Sequence, residues 1–560
     1  MNNIPLSEYP RPQLQRKSYK SLNGFWDYKI SKNPEIPGDF DGKILVPFSP
    51  ESKLSGVNHI LQPDEFLFYK LKFSLEDFEI KDKVILHFLA VDQIAEVFLN
   101  SKLLGKHVGG FLPFEFEIKN ELVKGENELV VKVQDLTDTS YHSRGKQRLK
   151  HGGIWYTPQS GIYFPVFIES VSDDYIENIK ITPDIDASKV TLNVKSTAAN
   201  ATLHIFDKDI LIQTNKDVDI EIPKDKLQLW SPENPYLYNF TLKTKGDEVC
   251  SYFAMRKFSL VKDKDGITRL GLNNKPYFMK GVLDQGYYAD GLLTPSCYDA
   301  YIKDIELVKS LGFNMIRKHI KIEIPRWYYE CDKRGIIVWQ DFVNGGETYK
   351  LPTIVLPLIF GKHYDDHNYK KFSRENEEGR LETINEFKET IKYLHNVPSI
   401  GLWTIFNEGW GQFDSKAIYA DLQHFDNTRL YDHASGWHDQ GVSNVKSYHV
   451  YFKHFKIKKP DERAIILSEF GGFVLPVEGH KIDGKKVYRS FKSKEDWLKK
   501  YEETIQTDVI DNIPKGLSAI VYTQLSDVEE ELNGFITYDR EVVKVDKNKI
   551  KEINSQIDYL

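Results

Sequence analysis

The chain has 560 residues and a mass of 65.1 kDa, too long for a single domain of roughly 100–200 residues. Hydrophobic residues make up 41%, aromatics 13% and charged residues 28%, which supplies large cores and excludes a disordered or collagen-like chain. Lys+Arg number 75 against Asp+Glu 82, a net charge of −7, and an acidic chain lacks the basic field that nucleic-acid phosphates require.

Cys250, Cys297 and Cys331 form no C-x-x-C pair, so a reduced compartment is expected rather than a disulfide framework. No basic segment leading into an apolar core opens the chain. The expected location is therefore cytoplasmic, or periplasmic or secreted if a leader has been removed. Apolar stretches such as Ile354 to Phe360 fall far short of the roughly 18 or more residues of a membrane span. The expectation is a soluble protein with no membrane or nucleic-acid partner, compatible with a homo-oligomer.

Short β-branched or aromatic segments come first: Phe66 to Phe73, Val84 to Phe88, Glu96 to Leu99 and Leu129 to Val133. Turn clusters such as Lys124-Gly125-Glu126-Asn127 separate them, a pattern of a β-sandwich over residues 1–172. From Ile176 to Val261 the strand pattern continues, interrupted by Trp230-Ser231-Pro232-Glu233-Asn234-Pro235. Its length fits one immunoglobulin-like sandwich, residues 173–262.

The period then changes. Tyr298, Ile302, Ile305, Val308 and Leu311 recur at helical spacing before Gly312, where a helix stops. Strands are expected at Pro276–Leu283, Phe313–Ile316, Ile336–Trp339, Ile400–Phe406, Leu430–Tyr431, Val445–Val450, Ala464–Leu467 and Ser518–Tyr522. Helices are expected at Ile324–Arg334 and Leu381–His395. Eight strands alternating with helices or long loops predict a C-terminal (β/α)8 barrel over residues 263–560. An open doubly wound sheet would carry a Gly-rich phosphate loop, and none follows any strand.

Barrel enzymes hold their chemistry at the C-terminal strand ends. There the fourth strand runs into Asn407-Glu408-Gly409-Trp410, and the seventh into Ser468-Glu469-Phe470-Gly471-Gly472. Strands 4 and 7 face each other across a barrel mouth, and glycosidic cleavage needs such a carboxyl pair: one acid, one nucleophile or base. Each glutamate alone would pass for a strand cap or a surface ion pair. Other strand-end candidates are Asp284 and Gln285, Asp341, Trp437 and His438, His449 and Tyr451, and Gln524. Trp339, Trp403 and Trp437 offer faces for sugar stacking, against ordinary core packing. His363 and His367 stand four apart without the H-E-x-x-H pattern, so no metal is expected. Lys318 reads as a salt-bridged lysine rather than a Schiff-base nucleophile.

Ordered segments along nearly the whole chain resemble glycoside hydrolase family 2. In the first domain these include Ser21-Leu22-Asn23-Gly24-Phe25-Trp26, Gly109-Gly110-Phe111-Leu112-Pro113-Phe114 and Gly153-Ile154-Trp155-Tyr156 with Ser160-Gly161-Ile162. Leu229-Trp230-Ser231-Pro232 and Met255-Arg256-Lys257 resemble the middle domain. Asn314-Met315-Ile316-Arg317, Phe406-Asn407-Glu408 and Leu467-Ser468-Glu469-Phe470-Gly471 resemble the barrel. The resemblance implies a jelly-roll first domain. It also implies Glu408 as acid/base, Asn407 on the sugar 2-hydroxyl, Glu469 as nucleophile, and Tyr451, in preference to Tyr448, beside Glu469. Arg317 matches the family's arginine after strand 2, but Lys318-His319-Ile320 departs from the Ser-His-Tyr-Pro run that follows it, leaving a role for His319 or Lys318 open. Asn407-Glu408-Gly409 in place of Asn-Glu-Pro points away from a uronic-acid sugar. The function implied is a retaining exo-glycosidase without a cofactor, acting on an oligosaccharide or glycoside. β-Galactosidase ranks ahead of β-glucuronidase, β-mannosidase and arabinopyranosidase, and the rival class is an inactive carbohydrate-binding protein. Asp284, Arg317, Asp341, Trp403, Trp437, His449 and Gln524 join Asn407 and Tyr451 as expected substrate-binding residues.

Overall fold

The computed structural model describes residues 4–484 and 488–559, with residues 358–360 as backbone alone. Two antiparallel sheets form the first unit, a jelly-roll β-sandwich. The larger runs in spatial order Gly42–Val46, Gly24–Ser31, Phe66–Ser74, Glu126–Gln134, Ile94–Leu99 and Lys102–Val108. The smaller runs Tyr19–Ser21, Val166–Val171, Lys83–Phe88 and Phe114–Glu117. Side chains alternate across a strand, so Leu67 and Tyr69, Leu129 and Val131, Leu86 and Phe88, and Val166 and Ile168 meet in one core.

A second, immunoglobulin-like sandwich pairs Ile176–Asp184, Lys189–Ser196 and Asp217–Glu221 against a sheet of Lys208–Gln213, Asn200–Ile205, Tyr238–Lys243 and Glu248–Phe253. Its core gathers Ile179, Leu192, Leu203, Phe240 and Val249.

Eight parallel strands make the barrel: β1 (Met279–Asp284), β2 (Met315–Lys318), β3 (Ile337–Asp341), β4 (Ile400–Thr404), β5 (Leu430–Asp432), β6 (Val445–Val450), β7 (Ala464–Gly471) and β8 (Leu517–Thr523). Their order is β5-β4-β3-β2-β1-β8-β7-β6, closed except for the β5–β6 seam. Strand β2 starts two residues later than its hydropathy suggests, because Asn314 turns its side chain to the Lys280 N–H and the Phe278 carbonyl. The helix expected from Leu381 begins at Glu377, where the Asn376 side chain accepts from the Gly379 N–H and satisfies a free end of the helix.

Both faces of the barrel wall are buried. Met279, Leu283, Met315, Ile337, Trp339, Leu402, Ile466 and Val521 point inward, whereas Val282, Ile316, Val338, Trp403, Leu467 and Ile520 point into the helix layer. The hairpin Phe258–Lys262 and Thr268–Leu272 brings Phe258, Leu270 and Leu272 against the inner set. That closes the barrel floor and leaves the C-terminal strand ends as the open mouth. Trp339 is part of this plug, its N–H 3.4 Å from the Met279 sulfur, so it packs core rather than sugar. No helix of the described residues is long and apolar enough to cross a membrane.

Candidate active site

Strand parity decides which strand-end groups reach the mouth. On β2 and β3, Arg317 follows inward Met315, and Asp341 follows inward Trp339, so both enter the barrel. On β7 the alternation alone would send Glu469 outward with Ile465 and Leu467. A register shift against both neighbours, between Leu467 and Phe470, intervenes. Such a bulge re-aims a side chain, and Ser468 and Glu469 both turn inward. Glu408 follows β4 on a backbone held at φ 51°, a left-handed conformation that costs about 1–2 kcal/mol for a residue with a Cβ. Its N–H donates to the Ser435 carbonyl at 2.9 Å, and Asn407 bridges to Ser435, which fixes the loop.

One network results. Arg317 is wholly buried and donates to Asp341 (3.0 Å), Glu469 Oε1 (3.1 Å), the Ser468 carbonyl (3.1 Å) and Asn407 Oδ1 (2.8 Å). Tyr451 donates its hydroxyl to Glu469 Oε2. His449 Nδ1 meets Glu408 Oε1 at 2.8 Å, and Nε2 meets Ser435 Oγ at 3.0 Å. His319 Nδ1 meets Asp341 at 2.7 Å, and burial pushes its pKa down to about 4, so the ring is neutral near pH 7.

The two carboxyls are pushed apart. Burial, together with the nearby Glu469 charge, raises Glu408 even against its bond to His449. Glu469 is just as buried, but His449, the Arg317 charge and the Tyr451 hydroxyl outweigh that burial and hold it below the usual carboxylate range. The two shifts run in opposite directions, the pattern that separates an acid from a carboxylate. An oxygen of each lies within 4.8 Å of the other. Asn407 Nδ2 is a buried donor without an acceptor among the described residues, which is rare in folded proteins.

Several expected sugar contacts are corrected by this geometry. Arg317, Asp341 and His449 are brought to the carboxyl pair, but their side chains are 0–1% exposed and saturated by protein; they hold the pair from beneath. Asp284 takes the outward parity of Val282 and pairs with Lys318 (2.5 Å), which also pairs with Glu323 (2.9 Å). Trp403 points into the helix layer, stacked on Phe342, with its N–H on Asp426 at 2.9 Å. Gln524 is fully buried between Gln285 (2.9 Å) and Asn533 (2.7 Å), bonded away from the pair. Trp437 lies 6.3 Å from the His449 ring and is 6% exposed.

Part of the mouth comes from the first sandwich; the sequence marked Gly153-Ile154-Trp155-Tyr156 by resemblance, but not its place beside the carboxyl pair. The loop around residues 141–157 docks on the barrel: the Arg144 N–H donates to the Asn344 carbonyl (3.0 Å), the Tyr156 hydroxyl donates to Glu531, and the Thr157 N–H to Glu529 (3.0 Å). Trp155 lies 5.0 Å from Trp410, and Lys146 Nζ 5.5 Å from the same ring. Tyr488, 5.1 Å from Tyr451, adds another wall. These contacts span most of the chain, so no spacing motif could carry them.

Among the described residues, three clusters bring metal-binding types within 4.8 Å: Glu408/His449/Glu469, Asp365/Asp366/His367 and His480/Asp539/Glu541. In the first, both ring nitrogens of His449 are already hydrogen-bonded. In the second, Asp365 and His367 pair with each other at 2.6 Å, while Asp366 accepts from Gln412 and Ser415.

Three family models match the chain: "Glycosyl hydrolases family 2, TIM barrel domain" over residues 264–553, its "sugar binding domain" over 57–167, and "Glycosyl hydrolases family 2" over 174–256. A β-galactosidase of Thermoanaerobacter pseudethanolicus is 22% identical over 79% of this chain and 59% of its own length. One from Photobacterium profundum is 25% identical over 74% of this chain and 42% of its own. The chain thus spans about half the length of these curated relatives. Among solved structures, the β-D-glucuronidase of Dictyoglomus thermophilum superposes with a TM-score of 0.75 at 18% identity, covering 99% of both chains. A β-galacturonidase of Eisenbergiella tayi bound to galacturonate gives 0.73 at 18% identity, covering 98% of this chain and all of its own.

Proposed function

The chain belongs to glycosyl hydrolase family 2, and from that membership we propose that it is a retaining exo-glycosidase removing one terminal β-linked sugar. The observation that carries this reading is the pair Glu408 and Glu469, close together with their pKa values pushed in opposite directions. An oxygen–oxygen approach within 4.8 Å suits the roughly 5–5.5 Å carboxyl separation of retaining enzymes better than the roughly 6.5–9.5 Å of inverting ones.

In the first step a Glu469 oxygen bonds to the anomeric carbon as the glycosidic C–O bond breaks, and the Glu408 proton passes to the leaving oxygen. In the second, Glu408 takes a proton from water, whose oxygen displaces Glu469 from the anomeric carbon. Both carboxyls then return to their starting states. Arg317 and Tyr451 orient Glu469 through the contacts above. The Asn407 amide donor, without an acceptor among the described residues, suits a sugar hydroxyl. The chemistry requires no cofactor. The first sugar to test is galactose, with glucuronic acid, mannose and arabinopyranose as alternatives, because hydroxyl partners on loop tips set specificity. The working domain limits are 1–172, 173–262 and 263–560; the floor hairpin straddles the second.

A panel of 4-nitrophenyl glycosides tests the activity, and two variants test the roles. Glu469→Ala should lose turnover of every glycoside, with azide restoring part of it from the vacated face. Glu408→Ala should keep forming the glycosyl-enzyme from activated aryl glycosides while losing about 100- to 10,000-fold on alkyl glycosides. Equal losses on both substrate types for Glu408→Ala, with Glu469→Ala still active, would reverse the roles.

A further inference from the structure

The wall beyond Glu408 carries donors without acceptors among the described residues. Lys146 is 7% exposed, and its ammonium makes no hydrogen bond or ion pair among the described residues. Its nearest described partners are the rings of Tyr156 (5.4 Å) and Trp410 (5.5 Å). The Trp410 indole, 2% exposed, holds a buried N–H that also lacks an acceptor. Arg148 lies 3.8 Å over the Trp155 ring, again without a carboxylate partner. The Lys146 stem is buried while its ammonium has no counter-charge among the described residues, and a buried donor such as the Trp410 N–H is rarely left empty.

The placement of this wall names what it faces. Glu408 donates its proton to the leaving oxygen in the reading above, and Trp410 sits two residues further along the same loop. Lys146 bears electrostatically on Glu408 and on His319, and its ammonium lies 5.5 Å from the Trp410 ring. Trp155, half-buried and 5.0 Å from the buried Trp410 ring, presents an aromatic face of the kind on which sugar rings pack. Resting on the proposed roles of the carboxyl pair, we propose that Lys146, Trp410 and Trp155 form a leaving-group subsite for an acidic sugar, one carrying a carboxylate or a sulfate ester. Lys146 pairs with the anion, the Trp410 N–H adds a hydrogen bond, and Arg148 extends the positive rim. The first sandwich thereby supplies selectivity to a barrel that supplies the bond cleavage.

Two measurements test this. Calorimetry on the intact chain compares glucose with glucuronate and with glucose 6-sulfate as probes. A charge-assisted bond in a buried site predicts about 10- to 100-fold tighter binding of the acidic sugars. Lys146→Met should erase that ratio and Lys146→Arg should keep most of it, and comparison of the two acidic probes shows which anion fits. Turnover is then compared for disaccharides joining the accepted terminal sugar to glucose or to glucuronate, and the acidic one should show at least about tenfold higher kcat/KM. Equal binding of neutral and acidic sugars by the native protein overturns the subsite without reference to any variant. Hydrolysis of a 4-nitrophenyl uronide in preference to neutral glycosides also overturns it, by placing the anion on the other side of the bond. If acidic sugars bind but no glycoside is cleaved, the catalytic reading fails and the binding site stands.

Discussion

His449 is the group whose removal reads most directly on the two carboxyls. Its ring is buried, with Nδ1 2.8 Å from Glu408 Oε1 and Nε2 3.6 Å from Glu469 Oε1. Glu408 must be protonated to start the reaction, so activity falls as pH rises through its pKa. The bond to His449 favours the ionised form and lowers that pKa; removing it must raise it. A hydrogen bond to a charged group contributes about 1.5–3 kcal/mol, and one pKa unit corresponds to about 1.4 kcal/mol. His449→Ala should therefore move the alkaline limb of kcat/KM upward by about one to two units. Glu469 must be ionised, and His449 also helps hold it low, so the acid limb should move in the same direction. The assay is a pH profile on one 4-nitrophenyl glycoside, since its limbs report the free enzyme's acid and base. His449→Asn, whose amide N–H can stand where Nδ1 stood, should return the alkaline limb most of the way. An alkaline limb that stays in place or moves down in His449→Ala would refute this account of Glu408.

Trp403→Phe and Asp284→Asn should lower stability by about 1–3 kcal/mol while KM stays within about twofold, since both side chains face the helix layer; a tenfold rise in KM would return either to the sugar site. Arg317→Met strips the counter-ion from buried Asp341 and Glu469. It should cost about 3–5 kcal/mol in urea unfolding, and turnover should fall in the fraction that remains folded.

The succession of strands and turns in the first half, and the βα alternation after it, follow from periodicity that local chemistry imposes, which is why the three-part architecture was legible. Asn407-Glu408 and Ser468-Glu469 were legible because each carboxyl follows an apolar strand and is trailed by glycine, in segments that resemble the family's barrel. Direction was not. In an ordinary half-buried strand, hydrophobic alternation tells inside from outside. A barrel wall is buried on both faces, so Leu402 and Trp403 carry no polarity that says which one enters the barrel, and Asp284 turns away from it although it is the charged neighbour of Leu283. That choice came from the pleat once the strands were paired, and on β7 it came from the bulge at Ser468-Glu469. The contribution of Lys146 and Trp155 lay further out of reach. Their partners on the loop after Glu408 meet them only when two domains dock, and a one-dimensional pattern holds no record of contacts made between separately folded cores.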